Sequence, residues 1–221
     1  MEHLTRIEMK PGPWRITDPE WPVYKPTLDD GTLTSDTFTG DGPLIGRTTD
    51  VALGGLPAVW AGAGAQGEWQ TAGGRLVVGA GGTTMVGFPH TLTEYTVEVV
   101  IAEFSAAGTS VWLDAWRAGS PTATTPECIR LDVREAGRLR FAYRTEGGSV
   151  TYGDTVTAAA GQMVRVRVAD GKVTGEAGGI TIPPLAHASD LKRTHYTGFS
   201  KLATSRAAFD SIAVRALSRT T

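Results

Sequence analysis

At 221 residues with a formal net charge of -2, the chain has room for one large domain or a domain with an arm, and no bulk attraction to nucleic acid or anionic membrane. Hydrophobic residues at 41% and charged residues at 20% exclude a disordered composition. The single cysteine, Cys128, excludes an intrachain disulfide and a Cys-based metal framework, and reads as a small buried hydrophobe.

Residues 1–34 read as an extended arm. The stretch "MKPGPWRITDPEWPVYKPTLDDG" holds five prolines, each removing a backbone donor and biasing its predecessor toward extended geometry. Helix and inner strand are therefore disfavoured. Three large aromatics lie among the prolines, Trp14, Trp21 and Tyr24, which a plain linker has no use for. They are expected to dock, either on the chain's own domain or on a neighbouring subunit. The opening residues lack an apolar core of signal-peptide length and no run approaches a membrane span, so neither a leader nor membrane contact is expected.

From Thr34 onward a period of two dominates. "SDTFTGDGPLIGRTTD" is a short Thr/Phe strand with a Gly/Asp turn, and "VWAGAGAQGEWQTAGGRLVVGAG" sets Trp60 and Trp69 around glycines. The glycines include a G-x-G, but no helix follows, which argues against a phosphate cradle. "EYTVEVVIAEF" puts Tyr95, Val97, Val99 and Ile101 on one face and Thr96, Glu98, Val100 and Ala102 on the other. In "SVWLDAWR" the same alternation puts Trp112, Asp114 and Trp116 on one face.

"CIRLDVREAGRLRFAYR" reads as two strands around Glu135-Ala136-Gly137, with Ile129, Leu131, Val133, Leu139, Phe141 and Tyr143 inward and arginines outward. "QMVRVRVADGKV" repeats the device, turning at Asp170-Gly171. "ASDLKRTHY" holds at most one helical turn, and Phe209, Ile212 and Val214 mark a closing strand. About twelve short strands at near-regular spacing, with no amphipathic helix, predict an all-β antiparallel sandwich of jelly-roll type over residues 35–217, followed by a short tail at 218–221.

These stretches resemble a concanavalin A-like lectin/glucanase module of the kind found in minor tail proteins of phages infecting actinobacteria. The residues that carry the resemblance are Asp36 and Phe38, Trp69 with Gly73 and Gly74, and Phe209, Asp210, Ile212 and Val214. It covers about residues 34 to 217 and implies a jelly roll whose first and last strands pair. It also implies a tail or baseplate-associated virion protein, assembled in the host cytoplasm beside other virion proteins and further copies of itself, and touching host cell-wall glycan. A capsid-decorating protein of the same fold and a cell-wall glycoside hydrolase are the alternatives.

Glucanases of this fold carry a Glu-x-Asp-x-x-Glu or Glu-x-Asp-x-Glu strand that sets two carboxylates on one face, as retaining hydrolysis requires. Glu98 and Glu103 are five apart with no Asp between them, Asp114 stands alone, and Asp132 and Glu135 have odd spacing. A non-enzymatic protein is therefore expected. His3, His90, His187 and His195 show no zinc spacing and no G-x-S-x-G is present. A calcium site at Asp36, Asp41 and Asp210 is the metal candidate, through pairing of the terminal strands; no other cofactor is expected. Trp112, Asp114 and Trp116 form the glycan or partner-contact candidate. On an exposed face they make a sugar platform, whereas inside the core Asp114 needs a polar partner.

Overall fold

The structure is a computed structural model that describes residues 32–52, 58–63, 69–79, 84–116, 127–145, 148–189, 191, 194–201 and 205–217. Its first strands are β1 (Thr32–Asp36), β2 (Gly42–Pro43), β3 (Val51–Ala52), β4 (Ala61–Ala63), β5 (Trp69–Ala72), β6 (Arg75–Val78), β7 (Thr84–His90), β8 (Tyr95–Glu103) and β9 (Thr109–Trp116). They continue as β10 (Glu127–Val133), β11 (Arg138–Arg144), β12 (Val150–Tyr152), β13 (Val156–Thr157), β14 (Met163–Ala169), β15 (Lys172–Ala177), β16 (Ile180–Ala186), β17 (His195–Lys201) and β18 (Ala208–Ala216). No α-helix occurs among the described residues, and the stretch expected to hold a helical turn runs into β17 at His195.

The strands form two antiparallel sheets stacked as a sandwich. A ten-stranded sheet runs β16-β15-β14-β8-β18-β6-β5-β2, with β1 on β18 and β3 on β1. An eight-stranded sheet runs β12-β11-β10-β9-β17-β7-β4, with β13 beside β11. The first and last strands pair as expected, Asp36 opposite Ile212. β1 starts at Thr32, so the sheet begins within the residues read as arm. Trp14, Trp21 and Tyr24 lie outside the described residues, as do residues 218–221.

Alternation fills the space between the sheets. Tyr95, Val97, Val99 and Ile101 of β8 and Val164, Val166 and Val168 of β14 face Ile129, Leu131, Leu139 and Phe141 across the core. Each aliphatic side chain so buried contributes roughly 1.5–3 kcal/mol. At one end Phe38, Trp60, Phe199 and Phe209 interlock, with Trp60 stacked on Phe199 and Phe209 only 4.4 Å from Phe199 between ring centroids. Asp170 and Gly171, both at positive φ, make the two-residue β14–β15 turn whose twist matches the flanking strands.

Candidate functional site

The outer face of the eight-stranded sheet carries a row of arginines around Asp132. Pairing lines up Arg140, Asp132, Ser110, Ser200 and Met85 in one row across β11, β10, β9, β17 and β7. The next row is Tyr152, Ala142, Arg130, Trp112, Gly198 and Gly87, and the one beyond holds Arg144, Cys128, Ala115 and Tyr196. Gly198 is obligatory, because a Cβ there would lie 2.1 Å from the Val86 carbonyl oxygen.

Asp132 is the carboxylate of this face and is tied down. Arg130 Nε donates to Oδ1 at 2.8 Å, Ser110 Oγ to the same oxygen at 3.1 Å, and Arg140 Nε to Oδ2 at 3.4 Å. Arg134 adds a longer ion pair. The Arg140 guanidinium also lies 3.8 Å from the centroid of the Tyr152 ring, and Tyr152 is 46% exposed. Cys128 is buried with its thiol pushed up to about 11, mainly by burial, which makes it the inert hydrophobe expected.

Of the expected Trp112–Asp114–Trp116 face, Trp112 and Asp114 do not share a side. Asp114 pairs with Ile129 while Trp112 pairs with the next residue, Arg130, so β9 carries one extra residue, a β-bulge. Past the bulge Ala115, not Asp114, joins Trp112, Met85 and Cys128 in one apolar cluster. Asp114 is instead buried opposite core residue Ile129 and accepts a hydrogen bond from Ser189 Oγ, the polar partner a buried carboxylate requires. Trp112 is only 6% exposed, so its ring is no open platform, and its Nε1 has no hydrogen-bond partner. The Trp116 side chain lies outside the described residues. Tyr152, opposite Ala142 on the outer face, is the exposed aromatic there among the described residues. Its only signal in the sequence was an aromatic in a short strand beside the arginine row.

The three calcium candidates each serve other partners. Asp36 accepts from Trp60 Nε1 and the Phe38 amide, both at 2.7 Å, and from Arg47. Asp41 caps the amide of Gly73, and Asp210 pairs with Arg75 at 2.9 Å. The terminal strands do pair, but each carboxylate serves a local turn or cation. Among the described residues no group of three acidic, His or Cys side chains has metal-binding geometry.

No family model matches the chain, and no curated protein matches it in sequence. Solved structures do match its fold. Porphyranase B from Zobellia galactanivorans superposes with a TM-score of 0.56 at 10% identity, covering 90% of this chain and 97% of that one. The metal-free carbohydrate recognition domain of Emp46p gives 0.56 at 12% identity, over 84% of this chain and all of the other, a coverage of 100%. A carbohydrate binding module, CBM66, from Bacillus subtilis gives 0.51 at 10% identity, over 71% and 95%. The chain shares the antiparallel jelly-roll sandwich of lectin, carbohydrate-binding and glucanase modules.

Proposed function

We propose that the chain is a lectin-like, non-hydrolysing component of a phage particle that offers the outer face of its eight-stranded sheet to host cell-wall glycan. The observation that carries the glycan reading is the exposed Tyr152 ring with Arg140 stacked on it, bordered by Ser110, Asp132 and Arg130. An aromatic surface with a few fixed polar groups is how proteins bind sugar-sized ligands. The fold's occurrence in a carbohydrate recognition domain and a carbohydrate binding module supports the same reading.

The non-enzymatic part rests on the carboxylates. Retaining hydrolysis uses two carboxyl groups about 5 Å apart flanking the scissile bond. Asp132 is engaged by guanidinium groups and Asp114 turns into the sandwich, so the described face offers no such pair. The virion part rests on the motif residues Asp36, Phe38, Trp69, Phe209 and Asp210, with Trp14, Trp21 and Tyr24 of the arm as anchors on neighbouring virion proteins. The fold's occurrence in porphyranase B favours one second reading, a cell-wall glycoside hydrolase.

Incubating the purified chain with insoluble actinobacterial cell-wall glycan separates the readings. The expected result is depletion of protein from solution without release of reducing ends, with binding lost in Tyr152→Ala. Release of reducing ends that disappears in Asp132→Asn overturns the non-enzymatic reading, and no depletion at all overturns the glycan reading.

A further inference from the structure

We infer that the glycan taken by this face is anionic: a saccharide bearing a carboxylate or sulfate, received by Arg140, Arg130 and Arg144 around Ala142. This rests on the glycan reading above and names the ligand class. Arg140 and Arg144 flank Ala142 on β11, two residues to either side, and Arg130 pairs with Ala142 from β10. All three lie on the outer face, since the residues between them, Phe141 and Tyr143, belong to the inter-sheet core. Along a strand, positions four apart are separated by roughly 13 Å, which is the span of a disaccharide.

Charge bookkeeping around Ala142 is unbalanced. Arg130 and Arg140 share one carboxylate, Asp132, which Arg134 also approaches at longer distance, in a chain whose net charge is -2. Arg130 and Arg140 meet Asp132 through Nε, which leaves their terminal nitrogens directed elsewhere; Arg130 Nη1 reaches only the Cys128 sulfur, at 3.9 Å. Arg144 has no carboxylate partner among the described residues, and its buried Nε has no hydrogen-bond partner. Beside them the Trp112 Nε1 is a buried donor without an acceptor. Donors dominate this face, and an anionic oxygen meets them better than a neutral sugar hydroxyl does, because a guanidinium and an oxyanion attract as opposite charges and can pair bidentately. Asp132 fixes the Arg130 and Arg140 forks in place, so little of their ordering entropy remains to be lost on binding. On the opposite sheet Arg165 and Arg215 both meet Glu98, and Arg165 also meets Glu176.

The test titrates the full chain with oligogalacturonate, a sulfated galactan oligomer and a neutral galactan oligomer of equal length, with single-stranded DNA as a further polyanion. Calorimetry is run at about 50 mM and about 200 mM salt, which bracket a Debye length of ~10 Å. One or both acidic sugars are expected to bind at least about tenfold more tightly than the neutral one, more weakly at high salt, and about tenfold more weakly to Arg144→Ala. The arm that wins distinguishes a carboxylate from a sulfate ligand. Arg165→Ala, on the other sheet, is expected to bind as the parent does, and Arg144→Lys is read if Arg144→Ala fails to fold. Equal affinity for neutral and acidic sugars, or binding unchanged in Arg144→Ala, overturns the inference and leaves the glycan reading standing. Binding of DNA alone overturns both.

Discussion

His90 and His195 face each other across β7 and β17 with ring centroids 4.3 Å apart, sealed at one end of the sandwich core beside Tyr95. Thr197 donates its hydroxyl proton to the Leu113 carbonyl oxygen, so at its 2.8 Å contact with His90 it accepts, and His90 Nε2 carries the hydrogen. His90 Nδ1 in turn accepts from the Leu92 amide. The site is wired for a neutral ring.

Burial, with the neighbouring His195, holds His90 well below the usual histidine range. An unfolded chain takes up that proton near pH 6.5, so below this pH the unfolded state holds more protons and stability falls as pH drops. Burial lowers His187 too, in the same sense. Each histidine contributes a slope of up to about 1.4 kcal/mol per pH unit. Melting temperature is expected to fall between pH 7 and pH 5.5, and His90→Gln to flatten the decline; an unchanged profile in that variant contradicts the assignment.

Asp36 is the polar pin beneath Trp60. Burial pushes its carboxyl up, against the pull of Trp60, Phe38 and Arg47, and all three lose their acceptor in Asp36→Ala. Removing one partner of a buried charge network costs about 3 kcal/mol, so chemical denaturation is expected to show a loss near that size. A loss below ~1 kcal/mol contradicts the role.

Gly198→Ala is expected to destabilise by about 2 kcal/mol or more, because the new Cβ would lie 2.1 Å from the Val86 carbonyl oxygen and 2.4 Å from Gly87 Cα, where only backbone can yield. Ser200→Ala on the same strand is expected to change stability by less than about 0.5 kcal/mol. Denaturant midpoints of the two variants give the comparison, and equal midpoints rule out the close approach.

Trp112 offers a different contrast. Trp112→Ala is expected to cost about 3 kcal/mol through the cavity it leaves. Trp112→Phe also deletes the unpartnered Nε1 donor, and the relieved desolvation is expected to hold its cost below ~1 kcal/mol. Near-equal losses in thermal denaturation contradict the view that the indole nitrogen goes unsatisfied.

Much of the sandwich was legible because β8 and β14 keep a clear period of two, and the inward residues of β10 and β11 are also the ones expected. The paired terminal strands and the buried Phe38, Trp60, Trp69 and Phe209 followed from the motifs as well. What the alternation hid was the bulge on β9. Its extra residue is a property of pairing with β10 and leaves no mark in "SVWLDAW". His90 and His195 were equally invisible as a pair, since β7–β17 pairing joins residues 105 positions apart in sequence. Tyr152 sits on a three-residue strand too short to show a period, and its place beside Ala142 comes from register alone.

The central claim is that the outer face of the eight-stranded sheet binds glycan. Its most direct test is a titration of isotopically labelled chain with cell-wall oligosaccharide, followed through backbone amide and side-chain resonances by NMR. The account predicts shifts centred on Tyr152, Arg140, Ala142, Arg130 and Arg144, with Thr96, Arg165 and Thr174 of the other sheet unmoved. Shifts confined to the ten-stranded sheet, or none at saturating oligosaccharide, would contradict it.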